Sequence, residues 1–200
     1  MKQKIIKIFI ILIAMIGFYI IFPKESFAAS AVLNKLTFNA ELTEHGDMTV
    51  VEDWDITLSD ATSIYKSFKK DMSKYFGVGG FQVYEIKDGQ QIPLDKGYAG
   101  QEGYYQVIEK SDSTEVSWGT GTAGEKARKK YRLAYNVKNI ITKYNDCAEL
   151  YWQFLGDGFS IPAKKITGTI SIPDKIDHKS QIKAWGHINS MTGTIRIKIQ

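Results

Sequence analysis

The 200-residue sequence predicts an all-β protein: one antiparallel β-sandwich, immunoglobulin-like or an elaboration of it, with one short helix near residues 60–76. Three observations lead there. Apolar and polar residues alternate over run after run, turn-forming dipeptides separate those runs, and the first 28 residues differ in character from everything after them.

Lys2, Lys4 and Lys7 precede an apolar run from Ile8 to Phe22, and PKESFAAS follows. Basic, apolar and small-residue segments in that order make a secretory signal peptide over residues 1–28, with Ser26 and Ala28 at the small-residue positions and Ala29 as the mature start. The run is shorter than the roughly 20 residues a spanning helix needs, which favours cleavage over an uncleaved anchor. Removing the segment lowers Lys plus Arg from 26 to 22 and Asp plus Glu from 22 to 21, leaving a net charge of +1. The basic character of the whole chain is therefore a targeting effect and does not call for nucleic acid. A single cysteine, Cys147, excludes an intrachain disulfide; it is expected to pack as a small apolar group beside the Leu150 strand.

Residues 29–200 form a single extracytoplasmic domain, since no repeat or proline-rich linker divides them. Leu36, Phe38, Ala40 and Leu42 share one strand face, and Met48, Val50, Trp54 and Ile56 share the next, with EHGD (Glu44 to Asp47) as the turn between. From Asp60 to Gly77 the spacing changes: Ile64, Phe68, Met72 and Phe76 recur every four residues, Asp60 can cap the start and Gly77 the end. That pattern predicts the helix, although Thr62 to Phe68 also fits an extended edge. Later strands carry Tyr131, Leu133, Tyr135 and Val137; Leu150, Trp152 and Phe154; Ile166, Ile170 and Ile172; and Ile195, Ile197 and Ile199. Asp88-Gly89, Gly119 to Gly124 and Asp157-Gly158 are the turn signals. The stop at IRIKIQ, inside a strand-like run, suggests truncation.

Several motifs invite chemistry. GTGTAG (Gly119 to Gly124) matches a dinucleotide fingerprint, with Asp146 at the acidic position, but KKYRLAYNV after it alternates as a strand where a helix is required. A glycine-rich hairpin loop joining Val116-Ser117-Trp118 to Tyr131 is the expectation, and no cofactor follows. Lys126, Arg128, Lys129 and Lys130 in EKARKK make a candidate contact for anionic lipid or wall polymer, set against a plain solvated loop edge. His45, His178 and His187 lack zinc-site spacing, and the acids Glu52, Asp53 and Asp55 lack a calcium loop, so no metal is expected. Strict alternation points Glu52 inward with Val50 and Trp54, which is costly unless a bulge turns it out or a Lys, Arg or tyrosine hydroxyl pairs with it. In ELYWQFLGDGF, Leu150, Trp152 and Phe154 should face the core, leaving Glu149, Tyr151 and Gln153 as a polar outer surface for a ligand or partner.

The order of these features resembles a family. VVEDWDI (Val50 to Ile56), the Asp88-Gly89 turn, YRLAYNV, ELYWQFLGDGFSIP (Glu149 to Pro162), TGTISIP (Thr167 to Pro173) and AWGHINSMTGTIRI (Ala184 to Ile197) together resemble the N-terminal extracellular region of the bacterial predicted membrane proteins of the domain of unknown function 2207 family, over about residues 32 to 200. The resemblance implies an extracytoplasmic β-sandwich attached to a membrane, with no established activity and no catalytic residues to transfer. The downstream membrane spans that such proteins carry are missing here, so membrane association would come through an uncleaved signal or a missing C-terminal span, or else the chain is released after Ala28.

The expected function is a non-catalytic, exported interaction or sensing module of the bacterial cell envelope, whose partner is an envelope protein or a wall polymer. The alternative is a carbohydrate-binding or carbohydrate-active cell-wall domain, stacking sugar on Tyr151, Trp118 or Trp185, or cleaving it with two of Glu149, Asp146 and Asp157.

Overall fold

The computed structural model describes residues 29–156, 161–173, 182 and 183, and the backbone of 192–199. The expected signal peptide, the Asp157-Gly158 turn, Trp185, His178 and His187 lie outside the described residues. What is described is all-β: β1 (Ser30–Leu42), β2 (Met48–Lys69), β3 (Gly77–Lys87), β4 (Gln90–Pro93), β5 (Asp95–Lys96), β6 (Tyr104–Glu109), β7 (Ser113–Lys138), β8 (Ile141–Lys143), β9 (Ala148–Leu150), β10 (Lys165–Ile172) and β11 (Thr192–Ile199). The main sheet runs β11-β10-β1-β2-β7-β3-β4, with β6 also on β7 and β5 on β6, while β8 and β9 form a separate hairpin. Most pairings are antiparallel as expected, but β1, β10 and β11 run parallel to one another.

Two long strands make this one sheet into two facing layers. The first legs of β2 and β7, up to Ser59 and from Lys126, pair with each other and with β1 and β3. Beyond the register shifts at Ser59 to Ser63, the second leg of β2 pairs with Ser113 to Gly119, and β6 joins that layer. Trp54 lies in the first layer beside Tyr131, and Trp118 lies in the second beside Ile64, yet their rings meet edge to face at 5.5 Å. Phe68 likewise meets Tyr135 at 4.8 Å. Contacts between residues so far apart along the ladder require the sheet to fold over on itself. Leu36, Phe38, Val50, Trp54, Ile56, Leu133 and Tyr135 from the first layer fill the interior with Ile64, Phe68, Val116 and Trp118 from the second.

The fold-over explains the glycine-rich run. Gly119 to Gly124 is no hairpin loop, because Val116 and Tyr131 belong to the same strand, β7. It is the corner at which that strand turns. Gly121 has φ +66° with the Glu102 carboxylate where a Cβ would stand, and at Gly119 a Cβ would strike the Gln101 backbone. Facing it, Asp60 has φ +49° and its carboxylate accepts from Gly124 N–H at 2.6 Å. The Thr120 and Thr122 hydroxyls both donate to the carbonyl of Ala61, which pairs with Thr122 between two register shifts.

The predicted helix is absent. Residues 60–69 are the second leg of β2, and a tight turn follows at Met72 to Lys74. Ile64 and Phe68 share the inward face of a strand as readily as one face of a helix. The residue between them on that face is Lys66, and a charge at an inward position hid the period of two. The EHGD and Asp88-Gly89 turns form as expected, with Gly46 at φ +80°, Asp88 at +52° and Gly89 at +79°.

Trp118 is fully buried and its indole N–H has no hydrogen-bond partner. Trp118→Ala should therefore cost about 3–5 kcal/mol in a denaturant titration, whereas Trp118→Phe should cost under about 1.5 kcal/mol.

Candidate functional site

Glu52 does point inward, and a pair satisfies it rather than a bulge. Its carboxylate has no solvent exposure, and Lys66, 4% exposed, reaches it from the second leg of β2. The Tyr135 hydroxyl donates to Glu52 Oε1 at 2.6 Å and the Trp54 indole N–H to Oε2 at 3.0 Å. Burial pulls the Lys66 ammonium below its ordinary range, against the opposing pull of the Glu52 charge. Burial, and then the same carboxylate, push the Tyr135 phenol well above its own.

This cluster extends outward to the ELYW segment. Lys66 Nζ donates to the Phe154 carbonyl at 2.8 Å, and Trp152 Nε1 donates to the Tyr135 hydroxyl at 3.3 Å. Phe154 stacks on Phe38 at 3.5 Å, and Trp152 packs against Phe68 and Tyr75. The regular strand ends at Leu150, but the alternation continues without it: Leu150, Trp152 and Phe154 are half-buried against the core, while Glu149, Tyr151 and Gln153 are exposed. Residues 151–156 thus form a wall on the open side of the sandwich.

Between that wall and the second leg of β2 lies a groove of about 490 Å³. Lys66 and Phe68 form its floor, Tyr65, Tyr75 and Tyr151 offer aromatic faces, and Lys69, Lys74, Asp71 and Asp112 bring charge to it. The Lys74 ammonium sits 5.2 Å from the centre of the Tyr151 ring. Tyr151 and Gln153 line the groove together, with the Gln153 amide 3.5 Å from the Tyr151 hydroxyl. Glu149 stands apart from it and accepts from the Tyr144 hydroxyl at 3.1 Å across the β8–β9 hairpin. Tyr65, Lys66, Lys69, Asp71 and Lys74 gave no sign of a groove in the sequence, because they sit in the stretch that resembled a helix.

The basic cluster lies within strand β7 and not on a loop edge. Alternation splits it: Lys126, Arg128 and Lys130 are exposed on one face, and Lys129 is on the other, held by Glu85 and Glu102 at 2.9 Å each. Arg128 makes a two-pronged contact with Asp55 at 2.7 and 2.6 Å. That hydrogen bonding holds the Asp55 carboxyl below its ordinary value. Cys147 is exposed at the β8–β9 turn rather than packed beside Leu150, because that turn stands clear of the core. Local desolvation and then the Asp146 carboxylate push its thiol up, away from the reactive thiolate. Among the described residues no three His, Cys, Asp or Glu side chains gather as metal ligands would, and no helix is long and apolar enough to cross a membrane.

A family model described as "Predicted membrane protein (DUF2207) N-terminal domain" matches residues 33–199. The chain belongs to the DUF2207 family. The match runs from β1 to β11, so the folded-over sheet, the buried Glu52–Lys66 pair and the groove all lie within the DUF2207 domain. No curated protein matches the chain.

Removing only one charge of the buried pair strands the other. Lys66→Met should cost about 3–5 kcal/mol, and Glu52→Leu combined with Lys66→Met should recover only part of that loss, since Tyr135, Trp54 and the Phe154 carbonyl lose a partner, both measured by denaturant unfolding. Asp55 has a folded pKa below its unfolded value of 3.8, so its stabilisation is complete above that pH and disappears as pH falls through the lower folded value. The stability gap between wild type and Asp55→Asn should close correspondingly on acidification.

Proposed function

We propose that this DUF2207 domain is a non-catalytic, extracytoplasmic interaction or sensing module that takes its ligand or partner in the groove between β2 and residues 151–156. The groove itself carries this reading: a cleft with aromatic faces, a satisfied buried ion pair beneath it and polar groups at its rim. Lys66 and Glu52 spend their hydrogen bonds on each other, on Tyr135 and Trp54, and on the Phe154 carbonyl of the wall, which suits a scaffold more than a reacting centre. The N-terminal segment supports export, as does the family's description as a predicted membrane protein. A bacterial envelope protein or wall polymer is the partner class.

Carbohydrate is the second reading, favoured by Tyr65 and Tyr151, which are 51% and 47% exposed within one groove. Asp71 and Asp112 also line it, but Ser73 holds the Asp71 carboxyl below its ordinary value, which opposes a general-acid role there. Binding of the exported chain to isolated envelopes and to a panel of wall glycans tests both readings. Tyr151→Ala should weaken the binding that is found by about tenfold, with strand content by circular dichroism unchanged. Envelope binding with a flat glycan response would sink the carbohydrate reading, and binding insensitive to Tyr151→Ala would remove the groove.

A further inference from the structure

Strand register fixes which elements share each end of the sandwich. Ile199 pairs with Ile172, and the row continues through Ser171 with Glu41, Leu42 with Met48, Met48 with Val137 and Val137 with Val78. β11 therefore ends at the same end of the sheet as the Thr43–Asp47 turn. β2 leaves that turn, reaches the corner at Asp60 and comes back, so the segment after Lys69 returns to the same end. The Phe76 N–H donates to the Lys138 carbonyl at 2.8 Å, and the Ile140 N–H to the Gly46 carbonyl at 2.9 Å, which locks the 70–76 turn and the start of the β8–β9 hairpin there. Ser30 pairs with Ser59 at the opposite, corner end.

The end where β11 stops carries apolar side chains that the core does not use. Met72 and Phe76 are 68% and 67% exposed, although Tyr75 between them packs on Trp152. Tyr144, in the turn of the β8–β9 hairpin, is half-exposed. Lysines do not outnumber acids here: Lys69, Lys70, Lys74, Lys110, Lys138 and Lys143 stand with Glu41, Glu44, Asp47, Asp71, Glu109, Asp112, Asp146 and Glu149. Lys138 holds Asp47 and Lys70 holds Glu109. Two large apolar tips in one short turn, with lysines and a tyrosine beside them, match the chemistry of a bilayer interface, where apolar groups enter the acyl boundary and amphipathic ones stay at headgroup level. Because the lysines do not outnumber the acids, apolar insertion must supply the contact. The matched region is the N-terminal domain of a predicted membrane protein, so whatever follows β11 in the family departs from this end.

We propose that this end of the domain rests on the lipid bilayer, with Met72 and Phe76 inserted at the interface, while the corner at Asp60 and Gly121 stands farthest from the membrane.

The test uses the exported form recovered from cells expressing all 200 residues. Cys147→Ser removes the native thiol, and a single environment-sensitive fluorophore is placed on a cysteine at Ser73 or at Glu125, near the corner. With phosphatidylcholine vesicles, the Ser73 label should shift to the blue and lose access to aqueous iodide, and the Glu125 label should do neither. Met72→Ser with Phe76→Ser should weaken vesicle partition at least about tenfold, Met72→Ser alone serving if the pair does not fold. Equal shielding at both positions, shielding at Glu125 alone, no shielding at either, or a folded serine variant that binds as wild type does would overturn the proposal. Partition that appears only with phosphatidylglycerol and vanishes in salt would overturn apolar insertion in favour of charge attraction.

Discussion

Glu52 and Lys66 lie 14 positions apart on one strand, both facing inward, and neither can be buried alone. A flat sheet would leave each charge on an uncovered face far from the other. Folding the sheet at Asp60 brings the two legs of β2 face to face and satisfies both at once. The same pair organises what surrounds it, since Tyr135 and Trp54 orient the carboxylate while Lys66 holds the Phe154 carbonyl and so fixes residues 151–156. The groove is a consequence of that contact: its floor is the ammonium's own strand and its wall is the segment the ammonium grips.

Much of this was legible in the sequence, and the failures share a cause. Period-two alternation located the strands around Phe38, Trp54 and Tyr135 because each has one face on the core and the other toward water. It also marked Glu52 as an inward carboxylate in need of a partner. The partner was hidden by its own chemistry: a lysine between Ile64 and Phe68 interrupts the apolar pattern, and the remaining spacing of four resembles a helix. Glycines at 119, 121 and 124 signalled a change of direction, but a strand that bends while staying paired uses the same residues as a loop that reverses it. Nor could the parallel pairing of β1 with β10 be read locally, since it depends on how far the chain travels between them.

For the candidate site, alternation placed Tyr151 and Gln153 outside the core, and both prove to line the groove. Glu149 shares their face but not their neighbourhood, since it belongs to the β8–β9 hairpin. The cluster from Lys126 to Lys130 shows the opposite limit. Adjacent in sequence, its members divide between two faces, and acids from β2, β3 and the β5–β6 connection answer Arg128 and Lys129. Charge density along a chain does not become charge density on a surface when the chain is a strand. Net charge is close to zero once the first 28 residues are set aside, so what distinguishes the open side is its shape more than its charge.

The parallel ladder also has a mechanical meaning. β1 begins at the corner end, and β11 stops at the other. Tension applied between Ser30 and Ile199 would run along the strands, loading the hydrogen bonds between β1, β10 and β11 together in shear instead of peeling them one at a time. Such a ladder yields abruptly and only under high load, so force applied along this axis would be transmitted before the domain unravels.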